Sequence, residues 1–151
     1  MLQLESVRDL AARVGQEVVV SDWLEVTQQR IDQFAEATED RQWIHIDVER
    51  ARRESPYKTT VAHGFLTLSL LSKLLTGSLQ VRSAKMGVNY GLNRMRFTAP
   101  VPAGSRVRGR FTLNKLEEIA GGLQMTWAVT VECEGSDKPC LIAEWVTRRY
   151  E

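Results

Sequence analysis

The chain has 151 residues and a formal net charge of +1, with 43% hydrophobic and 26% charged residues. This length is typical of one domain, here residues 1–151, whose core needs no disulfide or metal to stabilise it. The near-zero net charge excludes a global electrostatic attraction to nucleic acid or to a membrane surface.

No segment of the sequence is marked for a membrane or for export. No apolar run reaches the roughly 18 residues that a membrane-spanning helix needs. The N-terminus is amphipathic and contains acids, unlike a signal peptide, so we expect a cytoplasmic protein. The two cysteines, Cys133 and Cys140, are then expected to be reduced thiols, although a hairpin between them could bring them close enough for a disulfide.

The first half of the chain carries mainly helical signals. A short helix is predicted near Val7 to Val14, followed by a strand over Glu17 to Leu24. Thr27 can accept a hydrogen bond at the start of a helix that runs to about Thr38, and Asp47 can do the same for a second, shorter helix.

A strongly apolar segment, Ala62 to Gly77, lies at the centre of the chain. Seven of its residues are Phe or Leu and leave almost no polar face, which predicts a helix that is buried on nearly all sides. Gly77 is a suitable end for that helix. At 1.5 Å per residue the helix is only about 20 Å long, far too short to cross a membrane.

The second half of the chain alternates apolar and polar residues with a period of two, which predicts strands with one buried face. Three such strands lie around residues 106–113, 124–133 and 141–146. A further strand, or two strands broken near Gly91, is predicted from Lys85 to Phe97. The order indicates an α+β fold in which a curved antiparallel sheet wraps around the long buried central helix.

Two acid–base side chains, Asp40 and His45, lie five residues apart in the connection after the first long helix. A carboxylate and an imidazole aimed at one water can take its proton and deliver one to carbon. Connections held by a rigid frame often carry such working residues. The alternative interpretation is that Asp40 caps or pairs locally and that His45 merely packs.

A second candidate feature, His63-Gly64, opens the apolar central helix. The N–H of Gly64 has no partner within the helix, and the positive end of the helix dipole points the same way. A carbonyl placed there would find a ready oxyanion site. The alternative is that Gly64 only eases a tight entry into the helix. We interpret His63 as structural rather than catalytic.

The segment T-E-D-R-Q-W-I-H-I-D-V-E-R-A resembles the signature of the MaoC-like (R)-specific enoyl-CoA hydratases. The segment V-A-H-G-F-L resembles the second signature of this family, which opens its central helix. The segment N-Y-G-L-N-R-M-R-F is similar to the nodulation protein N-like branch of the family. This chain has Gln42-Trp43 where the main pattern has Asn-Pro, and the Gln-Trp form resembles the same branch. The positions that match the first signature in register are Thr38, Asp40, Ile44, His45 and Ala51.

The resemblance implies a hot-dog fold, usually a homodimer, and the reversible addition of water to a trans-2-enoyl thioester to give a (3R)-hydroxyacyl thioester. Asp40 and His45 match the catalytic pair, and the Gly64 backbone matches the donor to the thioester carbonyl. Ser69 falls where family members carry a serine near the site. The resemblance implies an acyl-CoA or acyl-carrier-protein thioester as substrate and no separate cofactor, because coenzyme A is part of the substrate.

Coenzyme A carries phosphates, so cations are expected near the mouth of the site. Arg94, Arg96 and Lys85 are the main candidates, and Arg52 and Arg53 are further ones. No metal site is expected, because two histidines and scattered acids lack the spacing of metal ligands.

Three other functions fit parts of the sequence. A hot-dog thioesterase would direct water at the thioester carbonyl and release free thiol. A non-catalytic hot-dog subunit would hold an acyl thioester without turning it over. A nucleic-acid module is the weakest alternative, because the arginines at 106, 108 and 110 line one strand face without an aromatic stacking platform.

Overall fold

The computed structural model describes residues 1–151 and has the α+β order that the sequence predicts. It contains one 3-10 helix, Val7–Arg13, and five α-helices. The α-helices are α1 Gln28–Thr38, α2 Trp43–Ile46, α3 Val48–Glu54, α4 Gly64–Ser69 and α5 Leu71–Thr76. The strands are β1 Leu2–Leu4, β2 Glu17–Val20, β3 Leu24–Glu25, β4 Leu79–Val81, β5 Met86–Phe97, β6 Arg106–Ile119, β7 Gly122–Cys133 and β8 Leu141–Tyr150.

The main sheet is antiparallel, with the strand order β2-β6-β7-β8-β5, and β3 continues beside β6. A separate parallel pair, β1 with β4, was not predicted. One face of the sheet packs on the central helical segment, and the fully buried side chains at this contact include Phe111 and Trp127 from the sheet and Leu71 from α5. No helix is long and apolar enough to cross a membrane.

The predicted strand from Glu17 to Leu24 is wrong as one element, because it is divided into β2 and β3. The division occurs at Ser21, whose Oγ accepts a hydrogen bond from the Gly109 N–H at 2.9 Å and donates one to the Asp22 carbonyl at 2.8 Å. A side-chain oxygen thus replaces a backbone carbonyl at this point of the ladder, and the strand stops there.

Both predicted helix caps are confirmed. The Thr27 side chain accepts a hydrogen bond from the Arg30 N–H at 3.1 Å at the start of α1, and Asp47 accepts one from the Arg50 N–H at 3.0 Å at the start of α3. Helix α1 ends at Thr38, and the left-handed conformation of the next residue, Glu39 (φ 61°), turns the chain toward Asp40.

The prediction of one continuous central helix from Ala62 to Gly77 needs correction. The helix begins at Gly64 and consists of α4 and α5, which meet at Leu70. The Leu70 N–H bonds to both the Leu66 and Thr67 carbonyls, at 3.1 and 3.2 Å, so the backbone tightens locally toward 3-10 geometry.

The composition of the central segment predicted burial on nearly all sides, but one side is exposed. Leu66, Leu71 and Leu74 are buried, but Phe65 remains 67% exposed and packs edge-on against Phe97. Strand β5, whose residues are almost all exposed, forms the adjacent edge of the sheet.

Strand β5 is a single strand whose pairing with β8 shifts between Asn89 and Gly91, close to the predicted break. The thiols of Cys133 and Cys140 are free and buried. Burial raises the pKa of Cys140 to about 12, so this thiol is protonated at neutral pH.

Candidate functional site

The structure brings Asp40 and His45 together and adds His63 to them. One ligand-type atom of each residue, a carboxylate oxygen or a ring nitrogen, lies within 4.8 Å of the other two. The two imidazoles are buried, whereas Asp40 is exposed to solvent. The three side chains thus form a cluster with a buried basic wall and an open acidic rim.

His45 lies in the short helix α2 and not in an irregular loop, which corrects the sequence interpretation. The carbonyl of its neighbour Ile44 accepts a hydrogen bond from the Val61 N–H at 3.0 Å. The next N–H, from Ala62, donates to the Val101 carbonyl at 2.8 Å. These bonds tie α2 to the segment that precedes the central helix, so His45 is positioned by elements far away in sequence.

The protonated nitrogen of His45 is fixed by the main chain. Its Nδ1 lies 2.6 Å from the Val61 carbonyl oxygen, which can only accept a hydrogen bond. Nδ1 therefore carries the proton, and the neutral ring presents the lone pair of Nε2. This is the tautomer that a general base requires.

Gln28, at the start of α1, supports His45 from the other side. Its side-chain amide donates to the His45 carbonyl at 2.7 Å and to Asp32 at 2.8 Å. The buried Thr60 hydroxyl donates to the side-chain oxygen of Gln28 at 2.5 Å, which orients the amide. The sequence analysis missed Gln28, because a glutamine 17 residues before His45 gives no local signal.

His63 closes the inner side of the cluster. Its ring stacks on that of His45, with centroids 3.8 Å apart and planes 23° apart, and Phe34 packs nearby at 4.9 Å. Its Nε2 lies 2.9 Å from the backbone carbonyl oxygen of Asp40, which makes Nε2 the donor. The remaining nitrogen, Nδ1, is buried and has no hydrogen-bond partner.

The environment lowers the pKa of His45. Burial is the main cause, because it disfavours the charged imidazolium, and the charge of His63 acts in the same direction. The hydrogen bond to Val61 and the carboxylate of Asp40 oppose this effect. His45 is consequently held as a neutral base at neutral pH.

A cavity of about 370 Å³ is lined by Ile44, which precedes His45, and by Gly64, which follows His63; none of the three cluster side chains lines it. Its wall includes Ile44 and Val61, the residues that anchor α2, together with Thr67 and Phe97. Gly64 is the first residue of α4, so its N–H has no acceptor within the helix. A side chain at position 64 would collide with Phe97, because a Cβ there would lie 2.7 Å from the ring. Glycine thus also allows Phe97 to close the cavity wall.

Ser69 is not brought to this cluster. It is exposed on α4, and its hydroxyl donates back to the Phe65 carbonyl at 2.7 Å. The hydroxyl-bearing helix residue that lines the cavity is Thr67, which is 2% exposed. The predicted role of Ser69 in substrate binding stays a prediction.

The cationic candidates fall in two separate places: Arg94 and Arg96 line one cavity together, and Lys85 lies just before the other end of β5. Arg94 and Arg96 pair in register with Glu144 and Ile142 and line a shallow cavity on the sheet face that points away from the central helix. Lys85 lies just before the first residue of β5, whereas Arg94 and Arg96 lie near its last residue, Phe97. At roughly 3.3 Å per residue, Lys85 is about 40 Å from Phe97 along the strand. Contact with phosphates of coenzyme A stays a prediction for all three.

The cluster is poorly shaped for a metal ion, although it contains two imidazoles and a carboxylate. A metal lies in the plane of each imidazole ligand, about 2.0–2.1 Å from its nitrogen. Planes that stack 3.8 Å apart at 23° meet well beyond that distance.

The arginine strip on β6 is engaged in ion pairs. Arg106 pairs with Glu134, Arg108 with Glu132, and Arg110 with Glu17, the last through two contacts of 2.9 Å. Each guanidinium thus faces a carboxylate of a neighbouring segment. This pairing weakens the nucleic-acid alternative, since the charges are not free for phosphates.

Comparison with known proteins identifies the family. The chain matches the MaoC like domain family over residues 9–134. It is 50% identical over 149 residues to the 3-hydroxyacyl-thioester dehydratase Z of Mycobacterium tuberculosis, which covers 98% of both chains. It is 51% identical over 144 residues to nodulation protein N of Rhizobium leguminosarum bv. viciae, which covers 94% of this chain and 89% of that one.

A solved structure confirms the predicted hot-dog fold. The R-hydratase PhaJ1 from Pseudomonas aeruginosa superimposes with a TM-score of 0.71 at 22% identity, over 91% of this chain and 82% of that one. The family match covers most of the sequence, and the two relatives share about half of its residues. The chain therefore belongs to the MaoC-like domain family.

Proposed function

We propose that the protein is an (R)-specific enoyl-CoA hydratase, which reversibly adds water to a trans-2-enoyl thioester and gives a (3R)-hydroxyacyl thioester. The coarser activity, hydration or dehydration of an acyl thioester, is supported by the close relative named as a 3-hydroxyacyl-thioester dehydratase. The finer assignment, (R)-specificity and an enoyl-CoA substrate, draws on the resemblance of the two signature segments.

The observation that carries the proposal is the convergence of Asp40 and His45 with His63, whose chain neighbour Gly64 lines the cavity. The lone pair of His45 Nε2 is available because Nδ1 is bonded to Val61. The Asp40 carboxylate lies within 4.8 Å of the imidazole cluster, and no hydrogen-bond partner of the same chain occupies it. Two acceptors at this separation can hold one water between them.

In the proposed reaction, the thioester carbonyl lies near the N–H of Gly64, which stabilises the charge that develops on its oxygen. Asp40 and His45 hold a water over C3. One of them takes a proton from this water as its oxygen bonds to C3, and a proton is then delivered to C2, which restores the protein. In dehydration the same groups carry out these proton transfers in the reverse order.

The partners follow from the same proposal. The substrate carries the acyl group on coenzyme A or on an acyl carrier protein, so no further cofactor takes part, and we expect the reaction in the cytoplasm. A homodimer is supported by the exposed edge strand β5 and by the exposed side chains of Phe65, Tyr90 and Leu92 on that side of the protein.

Hydration of crotonyl-CoA tests the proposal, followed as the loss of enoyl-thioester absorbance. Wild type should react, and Asp40→Asn should be slower by about 10² to 10⁴, the usual contribution of a general acid–base group. Arg108→Ala is a suitable control, because its side chain belongs to the paired strip on β6. Chiral analysis should give the (3R) product.

Other outcomes would point elsewhere. Release of free thiol from acyl-CoA without hydration would replace the hydratase with a thioesterase. A folded wild type that is inert on short, long and branched enoyl thioesters of both coenzyme A and acyl carrier protein would contradict the proposal and favour a subunit that only binds acyl thioesters.

A further inference from the structure

His63 is the one member of the cluster to which the proposed reaction assigns no task. It is 3% exposed, lies at the N-terminal boundary of α4, and contacts both residues of the proposed pair. Its ring stacks on His45, and its Nε2–H donates to the backbone of Asp40. A residue that only filled space would not need this combination of contacts.

The hydrogen bond to Asp40 constrains the main chain at an exposed position. The only other hydrogen bond of Asp40 within the chain is a long one, from its N–H to the Thr38 hydroxyl at 3.5 Å. The 2.9 Å bond from His63 is therefore the firmest anchor of this residue. Without it, the carboxylate would be carried by a turn that is free to move relative to His45.

The stacking contact constrains the ring of His45. Two imidazoles with centroids 3.8 Å apart cannot both carry a positive charge without strong repulsion in a buried site. The buried Nδ1 of His63 has no acceptor, so a proton there would also be an unpaired buried donor. The charges that act on the pKa of His45 are those of His63, which lowers it, and Asp40, which raises it.

We propose that His63 is a positioning residue: it holds the main chain at Asp40, fixes the plane of the His45 ring by stacking, and opposes the binding of a second proton by that ring. This inference rests on the proposed function, because it assigns His63 a part in the work of Asp40 and His45. In the hydration reaction its effect is to keep Nε2 of His45 free to accept a proton from the water.

The chain offers a clean test, since His45 and His63 are its only histidines. Nitrogen-15 NMR of the imidazoles reports the protonated nitrogen of each ring without any substrate. In wild type above pH 7, we expect the proton on Nδ1 in His45 and on Nε2 in His63. The variant His45→Gln assigns the signals, because it leaves only His63. A wild-type spectrum with the proton of His63 on Nδ1 would overturn the proposal directly.

Two variants of His63 separate its contacts. His63→Asn removes the stacked ring and its charge, so the titration midpoint of His45 should move upward, and the acidic limb of the pH–rate profile should move with it. His63→Phe keeps an aromatic ring but loses the donor to Asp40. Its kcat should fall about 10- to 100-fold, as is usual when the partner that orients a working group is removed.

The outcomes distinguish this proposal from the proposed function. If the His45 midpoint and the pH–rate profile are unchanged in His63→Asn, His63 is a packing residue and the proposal is wrong. If hydration is absent but the wild-type protonation pattern and the shift in His63→Asn are found, the coupling of the rings stands and the hydratase assignment fails. Circular dichroism of each variant checks the fold, and the wild-type spectrum decides the question if a variant does not fold.

Discussion

Two groups of charged side chains differ in how completely their partners satisfy them. The arginines of β6 lie on the surface, and each has a carboxylate partner in a neighbouring segment. In the cluster of Asp40, His45 and His63, polar atoms remain unsatisfied, among them the buried Nδ1 of His63. The ion pairs of the first group contribute to the stability of the fold. The second group retains hydrogen-bond donors and acceptors that a ligand could use.

A charge pattern that is easy to recognise in the sequence is not necessarily the one whose atoms are free to react. The paired strip is conspicuous along the chain because it repeats at every second residue. The cluster combines Asp40, from the connection after α1, with His45 of α2 and with His63, which follows 18 positions later, so its unsatisfied atoms come together only on folding. Substitutions in the two groups should therefore differ in which property they damage.

The largest effect is expected from removing either member of the pair. His45→Gln alone should slow hydration by about 10² to 10⁴. The double variant Asp40→Asn with His45→Gln should be no slower than the worse single variant, because groups that act on one water fail together. Single-turnover rates for the four proteins check this, and a double variant that loses the product of both factors would contradict a shared water.

A smaller effect is expected from Gln28→Ala, which removes the bond that holds the His45 carbonyl. The rate should fall about tenfold, and the unfolding free energy should fall by about 1–2 kcal/mol because the Thr60 hydroxyl loses its acceptor. Gln29→Ala is the matched control, since it is the exposed neighbour on the same helix. Equal behaviour of the two variants in both assays would exclude a role for Gln28.

A third prediction concerns acid stability. The folded state lowers the pKa of His45, mainly by burial, so between that value and about 6.5 the unfolded chain binds more protons. This contribution to stability is complete above pH 6.5 and is lost as the pH falls. The difference in Tm between wild type and His45→Gln, measured from pH 7.5 to 5, should change in favour of the variant on acidification. A constant difference would contradict the prediction.

The smallest effect is expected from the strip. Arg108→Ala breaks a half-buried pair with Glu132 and a cation–π contact with Trp23 at 4.5 Å. The unfolding free energy should fall by about 1 kcal/mol, and less in high salt, while the hydration rate stays unchanged. Urea unfolding at two salt concentrations measures the loss. A rate that falls with the stability would mean that the strip is linked to the site.

Much of this architecture could be predicted because its determinants are local. Thr27 and Asp47 cap the helices that follow them, and the alternation in the second half corresponds to β6, β7 and β8. The approach of His45 to Asp40 also follows from a short separation in sequence. These features depend on neighbours that the sequence displays side by side.

The remaining features depend on contacts across the fold. The break between β2 and β3 arises because the Ser21 hydroxyl bonds to Gly109, a residue 88 positions away. The division of the central helix at Leu70 and the exposure of Phe65 follow from packing, which periodicity alone does not report. His63 was interpreted as structural because nothing in its own segment indicates that its ring faces Asp40 and His45.

The left-handed turn at Glu39 restricts which substitutions this part of the protein can accept. At a φ of 61°, a side chain with a branched Cβ costs about 1–2 kcal/mol, whereas glycine, asparagine and aspartate fit easily. A valine there would disfavour the turn that leads into Asp40 without touching any reacting atom, so we expect position 39 to be sensitive through backbone conformation alone.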